Sequence, residues 1–250
     1  MSLAWDLFCG CSGGSTGLIQ AAQSVGSPLS ELVGVNHWKK AVETYRRNHP
    51  WATVLHEDVR RVDPRAVIGR KKVKIGIGGP SCVYHSNARG GKPVDDQERS
   101  HAWDVIRWAR LTEPENILIE NVPEFANWGP LIQKTDENGE LVWVTKKDKA
   151  SGEIVFALDA KGQQIPFMIP DPVRKGEYFR DWIKALRALG YNVEYRVLCA
   201  AHYGDATTRR RLFIQARRNR ITWPEASYRL PDEALDIFNA DLPFARSARE

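Results

Sequence analysis

In "IGIGGPSCVYHSNARGG" (75–91) an apolar run breaks into glycine and proline and then presents a cysteine, Cys82. A thiol at the tip of a glycine-flanked turn, with no partner cysteine nearby, sits at the carboxyl edge where open α/β sheets bind ligands. Further on, "ENILIENVPEF" ends an apolar strand on Glu120 and Asn121. A carboxylate followed by an Asn-Val-Pro turn is an odd end for a buried strand unless the carboxylate faces a site. "TTRRRLF" then opens a last strand with Arg209 and Arg211, and alternation sends both side chains to one face. Near the start, "DLFCGCSGGSTGL" sets Gly10, Gly13, Gly14 and Gly17 between a strand and a helix. Glycines there let backbone approach a ligand, and the helix N-terminus offers unpaired N–H groups. The turn is no nicotinamide fingerprint, because Ser12 stands where the second glycine of GxGxxG belongs.

These residues need elements to position them. "LAWDLFCG" reads as a strand and "STGLIQAAQSVG" as a helix capped by Ser15 or Thr16 and stopped by Gly26. "ELVGVN" is a second strand, "KKAVETYRRNH" a helix, "WATVLHEDV" a third strand and "VKIGIGG" a fourth. A helix over 95–114 carries Trp103, Ile106 and Ala109 on one face, with the Trp103/Trp108 pair read as core, and "NILIEN" is the fifth strand. Strands alternating with helices predict a doubly wound, mostly parallel, Rossmann-like α/β sheet. Between Gly129 and Gly176 the pattern changes to short strands joined by "ENG", "ASG" and "AKG" turns, a β-hairpin insertion. The helix "EYFRDWIKALRALGY" and the strands "NVEYRVLCAAHYG" and "RRLFIQARR" close the core. The expected organisation is a core over 1–128, the insertion over 129–176, the end of the core over 177–222 and an extension over 223–250. No internal repeat is read.

Composition narrows the class. The chain has 250 residues, 42% of them hydrophobic, and no apolar run long enough to span a membrane, so no membrane partner is expected. Four cysteines without a CxxC pair argue against a disulfide scaffold and a structural zinc, and for a reducing, cytoplasmic setting. Cys9, Cys11 and Cys199 read as core or turn residues, and the histidines lack ligand spacing, so no metal is assigned. Net charge is +5, with six arginines clustered in 209–220, which suits a nucleic acid.

Taken together the motifs resemble the C5-cytosine DNA methyltransferase family, in a divergent, phage-like form. "DLFCGCSGGSTG" resembles its S-adenosylmethionine-binding motif, "GGPSC" its nucleophile loop, "ENV" its catalytic glutamate motif and "HYGDATTRRRLF" its arginine motif, all in family order. The resemblance implies attack of Cys82 on C6 of a flipped-out cytosine, with Glu120 at ring N3 and Arg211 at O2. Arg209 would support the loop or a phosphate, and Asn121 and Pro80 would shape the pocket. It implies S-adenosylmethionine as donor and S-adenosylhomocysteine as product. Asp6, Phe8, Gly10, Gly13, Gly14, Thr16 and Gly17 would hold the methionine part, and Asn36, His37, Trp38, Asp58 and Val59 the nucleoside part. It implies double-stranded DNA as partner, contacted by Ser81, Ser86, Asn87, Arg89, Gly90 and Arg209, as in restriction–modification systems. Departures are Asn36 in place of an acid, Val83 after the cysteine, and Ala206-Thr207 inside the arginine motif. The family's target-recognition region and last motifs have no counterpart after Trp223, so a truncation, or a second chain carrying them, is expected. Alternatives are the same chemistry on RNA or with a modified donor, a non-catalytic DNA- or cofactor-binding subunit, and a nicotinamide-dependent oxidoreductase.

Overall fold

β1 (Leu3–Leu7) has all five side chains buried, as a strand covered on both faces must. It is an interior strand of the sheet in the computed structural model, which describes residues 2–80, 101–148, 151–231, 233 and 239–245. From β1 the chain runs through α1 (Gly13–Ser24) to β2 (Glu31–Asn36), then through α2 (Lys39–Asn48) to β3 (Thr53–His56). It passes through α3 (Pro64–Ile68) and returns to β4 (Val73–Gly78) on the other side of β1; α4 (Ala102–Thr112) then precedes β5 (Asn116–Asn121). After the insertion come α5 (Glu177–Ala188), β10 (Asn192–Cys199) and β11 (Arg210–Arg217). Among the described residues the sheet has seven strands in the order β10-β11-β5-β4-β1-β2-β3. β11 is antiparallel to both neighbours, and the other pairings are parallel.

Two compact units are distinguished, the sheet with its helices and a second unit built on Glu124–Asp181. In the first, Ala4, Cys9, Leu32, Val42, Tyr45 and Val54 pack under α1 and α2 on one face. On the other face the Trp5 indole meets Trp108 edge-on at 5.9 Å and donates to Thr112 Oγ1 at 3.1 Å. Trp182 is also fully buried and donates to the carbonyl of Ala102 at 2.8 Å. The Trp5 ring lies across β4 at Gly76, where any Cβ would collide with it.

Several local expectations are corrected. α1 starts at Gly13, with Ser12 rather than Ser15 or Thr16 as its first flanking residue. The turn from β1 into α1 uses left-handed backbone at Phe8 (φ 59°), Gly10 (φ 51°) and Ser12 (φ 83°), so the helix begins earlier than a side-chain cap suggests. β3 is only Thr53–His56, shorter than the apolar run around it. The short helix α3 was not expected, although Asp63 accepts from the Arg65 amide and Pro64 sits at its first position, both ordinary start signals.

The second unit does contain a repeat. Its strands β6 (Leu131–Gln133) and β9 (Met168–Pro170) pair, as do β7 (Thr145–Lys147) and β8 (Ile154–Phe156). Asp136, Asp148 and Asp159 each open a turn, their side chains accepting backbone N–H groups. Each turn closes on a left-handed glycine, Gly139, Gly152 or Gly162. Where the hairpins meet, backbone bonds run in closed rings of three. Val142 donates to Lys134, Lys134 to Phe167 and Phe167 to Val142. Val144, Ile165 and Ala157 close a second ring in the same way. Among the described residues no helix is long and apolar enough to cross a membrane.

Substituting Gly76→Ala is expected to cost about 2–3 kcal/mol by overpacking against Trp5. Denaturant unfolding would read the loss. Adding Trp5→Leu should recover part of it if the indole is the obstacle.

Candidate active site

Strand order reverses between β1 and β4, and in open α/β sheets the crevice at the carboxyl ends of such strands is where ligands sit. A cavity of about 700 Å³ lies there, lined by Asp6, Phe8, Gly10, Gly13, Gly14 and Gly17 together with Ile77, Gly79 and Glu120. Gly13 and Gly17 lie within α1, where glycine costs about 1 kcal/mol relative to alanine. A Cβ at either would meet no protein atom within 4 Å, so packing does not demand them. What they provide is bare helix backbone facing an open cradle. The donor implied by the sequence fits such a cradle.

Asp6 is the most constrained polar group there, 4% exposed. Ser15 Oγ donates to its Oδ2 at 2.6 Å, and the Tyr45 hydroxyl lies 2.5 Å from Ser15 Oγ. Since Ser15 has one proton to give, Tyr45 donates to Ser15, and two hydroxyls in series point at the carboxyl. Burial pushes the Asp6 carboxyl up to about 7, against the lowering effect of the Ser15 bond. Burial, with Asp6 second, likewise raises the Cys9 thiol and the Tyr45 phenol, so both stay neutral.

The remaining donor-side expectations divide. The Phe8 ring stacks on His101, with centroids 5.7 Å apart. Thr16 does not line the cavity. Its hydroxyl donates to the Ser12 carbonyl at 2.9 Å and lies 3.0 Å from His49 Nε2, tying α1 to α2. Asn36, His37, Trp38, Asp58 and Val59 sit at the carboxyl ends of β2 and β3, along the same sheet edge but outside the lining of this cavity. Asn36 Oδ1 accepts the Trp38 amide at 2.8 Å, and the Trp38 side chain is 56% exposed. Asp58 is gripped by Arg60, 2.6 Å from Oδ2 to Nη2, and that hydrogen bond holds its carboxyl down to about 2. Val59 is buried, and its carbonyl, like that of Val62, accepts from Arg107 of α4.

At the end of β5, Glu120 Oε1 meets Arg211 Nε at 2.8 Å. The β5–β11 register places Glu120 opposite Phe213, so Arg211 is its diagonal neighbour on the same face. Asn121 is buried, donates to the Pro80 carbonyl at 3.1 Å and accepts the Val122 amide. It thus ties the end of β5 to the last described residue before Cys82. Arg209 precedes β11 rather than lying in it, and lines a cavity of about 360 Å³ with Arg211, Tyr203 and Asp205. Cys82, Ser81, Ser86, Asn87, Arg89 and Gly90 lie outside the described residues. Cys9 and Cys199 are buried and Cys11 is exposed on the turn. Trp108 is core, whereas Trp103 is 39% exposed. Among the described residues no cluster of His, Cys, Asp or Glu could hold a metal ion.

Sequence reasoning missed Ser15 and Tyr45, which have no local signature. It also missed an asymmetry of the sheet. Ile117, Ile119, Leu212 and Ile214 on one face of β5 and β11 are buried to 2% or less. Leu118 and Phe213 on the opposite face, with Ile75 and Leu198, are only half-buried and line open cavities.

The family model for C-5 cytosine-specific DNA methylase matches residues 4–129 and 172–241. A Type II methyltransferase of Haemophilus parahaemolyticus is 26% identical over 236 residues, covering 91% of this chain and 50% of that protein. The DNA (cytosine-5)-methyltransferase 1B of Oryza sativa subsp. japonica is 26% identical over 256 residues, 98% of this chain and 15% of that one. Among solved structures, a DNA modification methyltransferase encoded within an E. coli prophage superposes with TM-score 0.57 at 18% identity, covering 87% of this chain and 47% of the other. The S. pombe Dnmt2 methyltransferase gives TM-score 0.54 at 17% identity, covering 89% and 51%. These structures share the fold. The chain spans about half the length of the bacterial relatives it matches.

Asp6 carries a pH prediction. Its folded pKa of about 7 lies above the ordinary 3.8, so the stability it contributes is present below about pH 4 and lost as pH rises through 7. Asp6→Asn should therefore gain on the unsubstituted chain between pH 4 and pH 8, by up to about 4 kcal/mol. Thermal unfolding across that range checks the sign.

Proposed function

Because the chain belongs to the C-5 cytosine-specific DNA methylase family, we propose that it is the donor-binding and catalytic part of a DNA (cytosine-5) methyltransferase. The observation that carries this reading is the Glu120–Arg211 pair at the carboxyl end of β5, beside the glycine cradle and tied through Asn121 to Pro80.

The substrate is a cytosine swung out of double-stranded DNA, since its C6 is inaccessible inside the stack. The Cys82 thiolate adds to C6, and Glu120 hydrogen-bonds or protonates N3, so the charge pushed into the ring is neutralised. C5 thereby becomes nucleophilic. S-adenosylmethionine supplies an electrophilic methyl on a sulfonium and departs as S-adenosylhomocysteine. Loss of the C5 proton to solvent base and expulsion of the Cys82 thiolate restore the aromatic ring. Arg211 holds Glu120 in place from the diagonal position and would bind the base's O2. Arg209, with Ser81, Ser86, Asn87, Arg89 and Gly90, contacts the DNA. Asp6, Phe8 and the cradle glycines hold the methionine end, and Asn36, His37, Trp38, Asp58 and Val59 the nucleoside end.

We further propose that additional polypeptide, on this protein or on a second chain, covers the half-open face of β4, β5, β10 and β11 and supplies target recognition. Support comes from Ile75, Leu118, Leu198 and Phe213, which a mostly parallel sheet ordinarily buries.

Nucleoside mass spectrometry of DNA from expressing cells should give 5-methylcytosine that disappears with Cys82→Ala and falls about 100-fold or more with Glu120→Gln. A duplex carrying 5-fluorocytosine, whose C5 has no proton to lose, should become covalently attached through Cys82. Capture that survives Cys82→Ala would refute the assignment.

A further inference from the structure

Among the described residues, Asp6 lines the β1–α1 cavity with no cation to answer it. The described residues around that cavity include no lysine or arginine. From its own strand and turn Asp6 faces Cys9, and from α1 it faces Ser15. From α2 come Tyr45 and, one turn further along, His49, which burial keeps neutral. Across the cavity stands Glu120, whose partner is Arg211. β2 and β4 contribute only apolar side chains and glycine beside it, through Gly34, Val35 and Ile77. A carboxyl so placed has hydrogen-bond donors but, among the described residues, no counter-charge.

Resting on the reading of this cavity as the site of a methyl donor with a cationic methionine end, we infer that donor binding is coupled to loss of the Asp6 proton, with Ser15 and Tyr45 as positioning residues. The O–H bond of the carboxyl breaks, its electron pair stays on Asp6, and the proton passes to solvent through the open cavity. The ligand's positive charge supplies what the described lining of the cavity omits. The series Tyr45 to Ser15 to Asp6 fixes which oxygen is held by the protein, leaving the other for the ligand. The two hydroxyls also keep ionisation within reach of neutral pH, since the Ser15 bond opposes the effect of burial. Gly34 is part of the device, because a Cβ there would press on the Tyr45 ring at 3.2 Å.

The test is calorimetric titration of S-adenosylmethionine into the chain in buffers of different ionisation enthalpy, at pH 7 and pH 9. About half a proton should be released per donor bound at pH 7 and almost none at pH 9, with affinity rising about tenfold from pH 6 to pH 8. Asp6→Asn should release none at either pH. Tyr45→Phe, which removes one ring oxygen, should release more at pH 7 and move the affinity plateau to higher pH, a change mere loosening of the fold would not produce. Carbon-13 NMR of the Asp6 carboxyl, assigned against Asp6→Asn, should titrate near neutrality without ligand. Binding with no proton release at pH 7, release that persists in Asp6→Asn, or a carboxyl titrating near pH 4 would overturn the coupling. If the carboxyl titrates near neutrality but no donor binds at either pH, the donor reading falls, and the coupling with it.

Discussion

Everything at this site depends on the position of one strand. β1 is hydrogen-bonded on both sides, and its neighbours lead the chain in opposite directions along the sheet. The end of β1 therefore opens between two diverging connections, and no helix can close that gap without crossing the other. The sequence commits heavily to holding this strand still, with five buried side chains and an indole laid over a glycine of β4. Asp6 is then fixed by its neighbours in the strand, and the turn after it must fold back sharply. Left-handed backbone at Phe8 and Ser12 is the strain this geometry stores.

Much of this was legible from residue order alone. Alternating strands and helices gave the sheet, and Glu120 stood out because a carboxylate ended an otherwise apolar strand. Arg211 was placed by two-residue alternation, and its pairing with Glu120 agrees with that. What escaped was of two kinds. Contacts between residues far apart in the chain, such as Tyr45 with Ser15, leave no periodic trace, since both residue types are ordinary in helices. The start of α1 was misplaced because positive φ at non-glycine residues cannot be read from composition. The repeat in 129–176 went unseen because its turns, at Asp136, Asp148 and Asp159, share little beyond an aspartate and a glycine.

The electrostatics of the sheet edge fall into three different solutions to one problem. Asp58 is charged and paired at the surface with Arg60. Glu120 is half-exposed and paired with Arg211. Asp6 is buried with Ser15 as its hydrogen-bond partner, and burial pushes its carboxyl up to about 7. Among the described residues, going from the outer strand β3 toward the strand-order reversal, counter-charges are thus present at the flanks and missing at the centre. A ligand bearing positive charge is favoured where the protein has withheld its own.

The closed rings of backbone bonds in the Glu124–Asp181 unit have a kinetic consequence. The three tip turns, at Asp136, Asp148 and Asp159, form between residues only a few positions apart, so little loop-closure entropy is lost in making them. The two rings then lock three arms at once, and slippage of any arm by a single residue would break both bonds it makes in its ring. Such a segment is held to one register. It interrupts the chain between β5 and β10 without lengthening the search those strands must make to the same degree as a flexible tether of equal length.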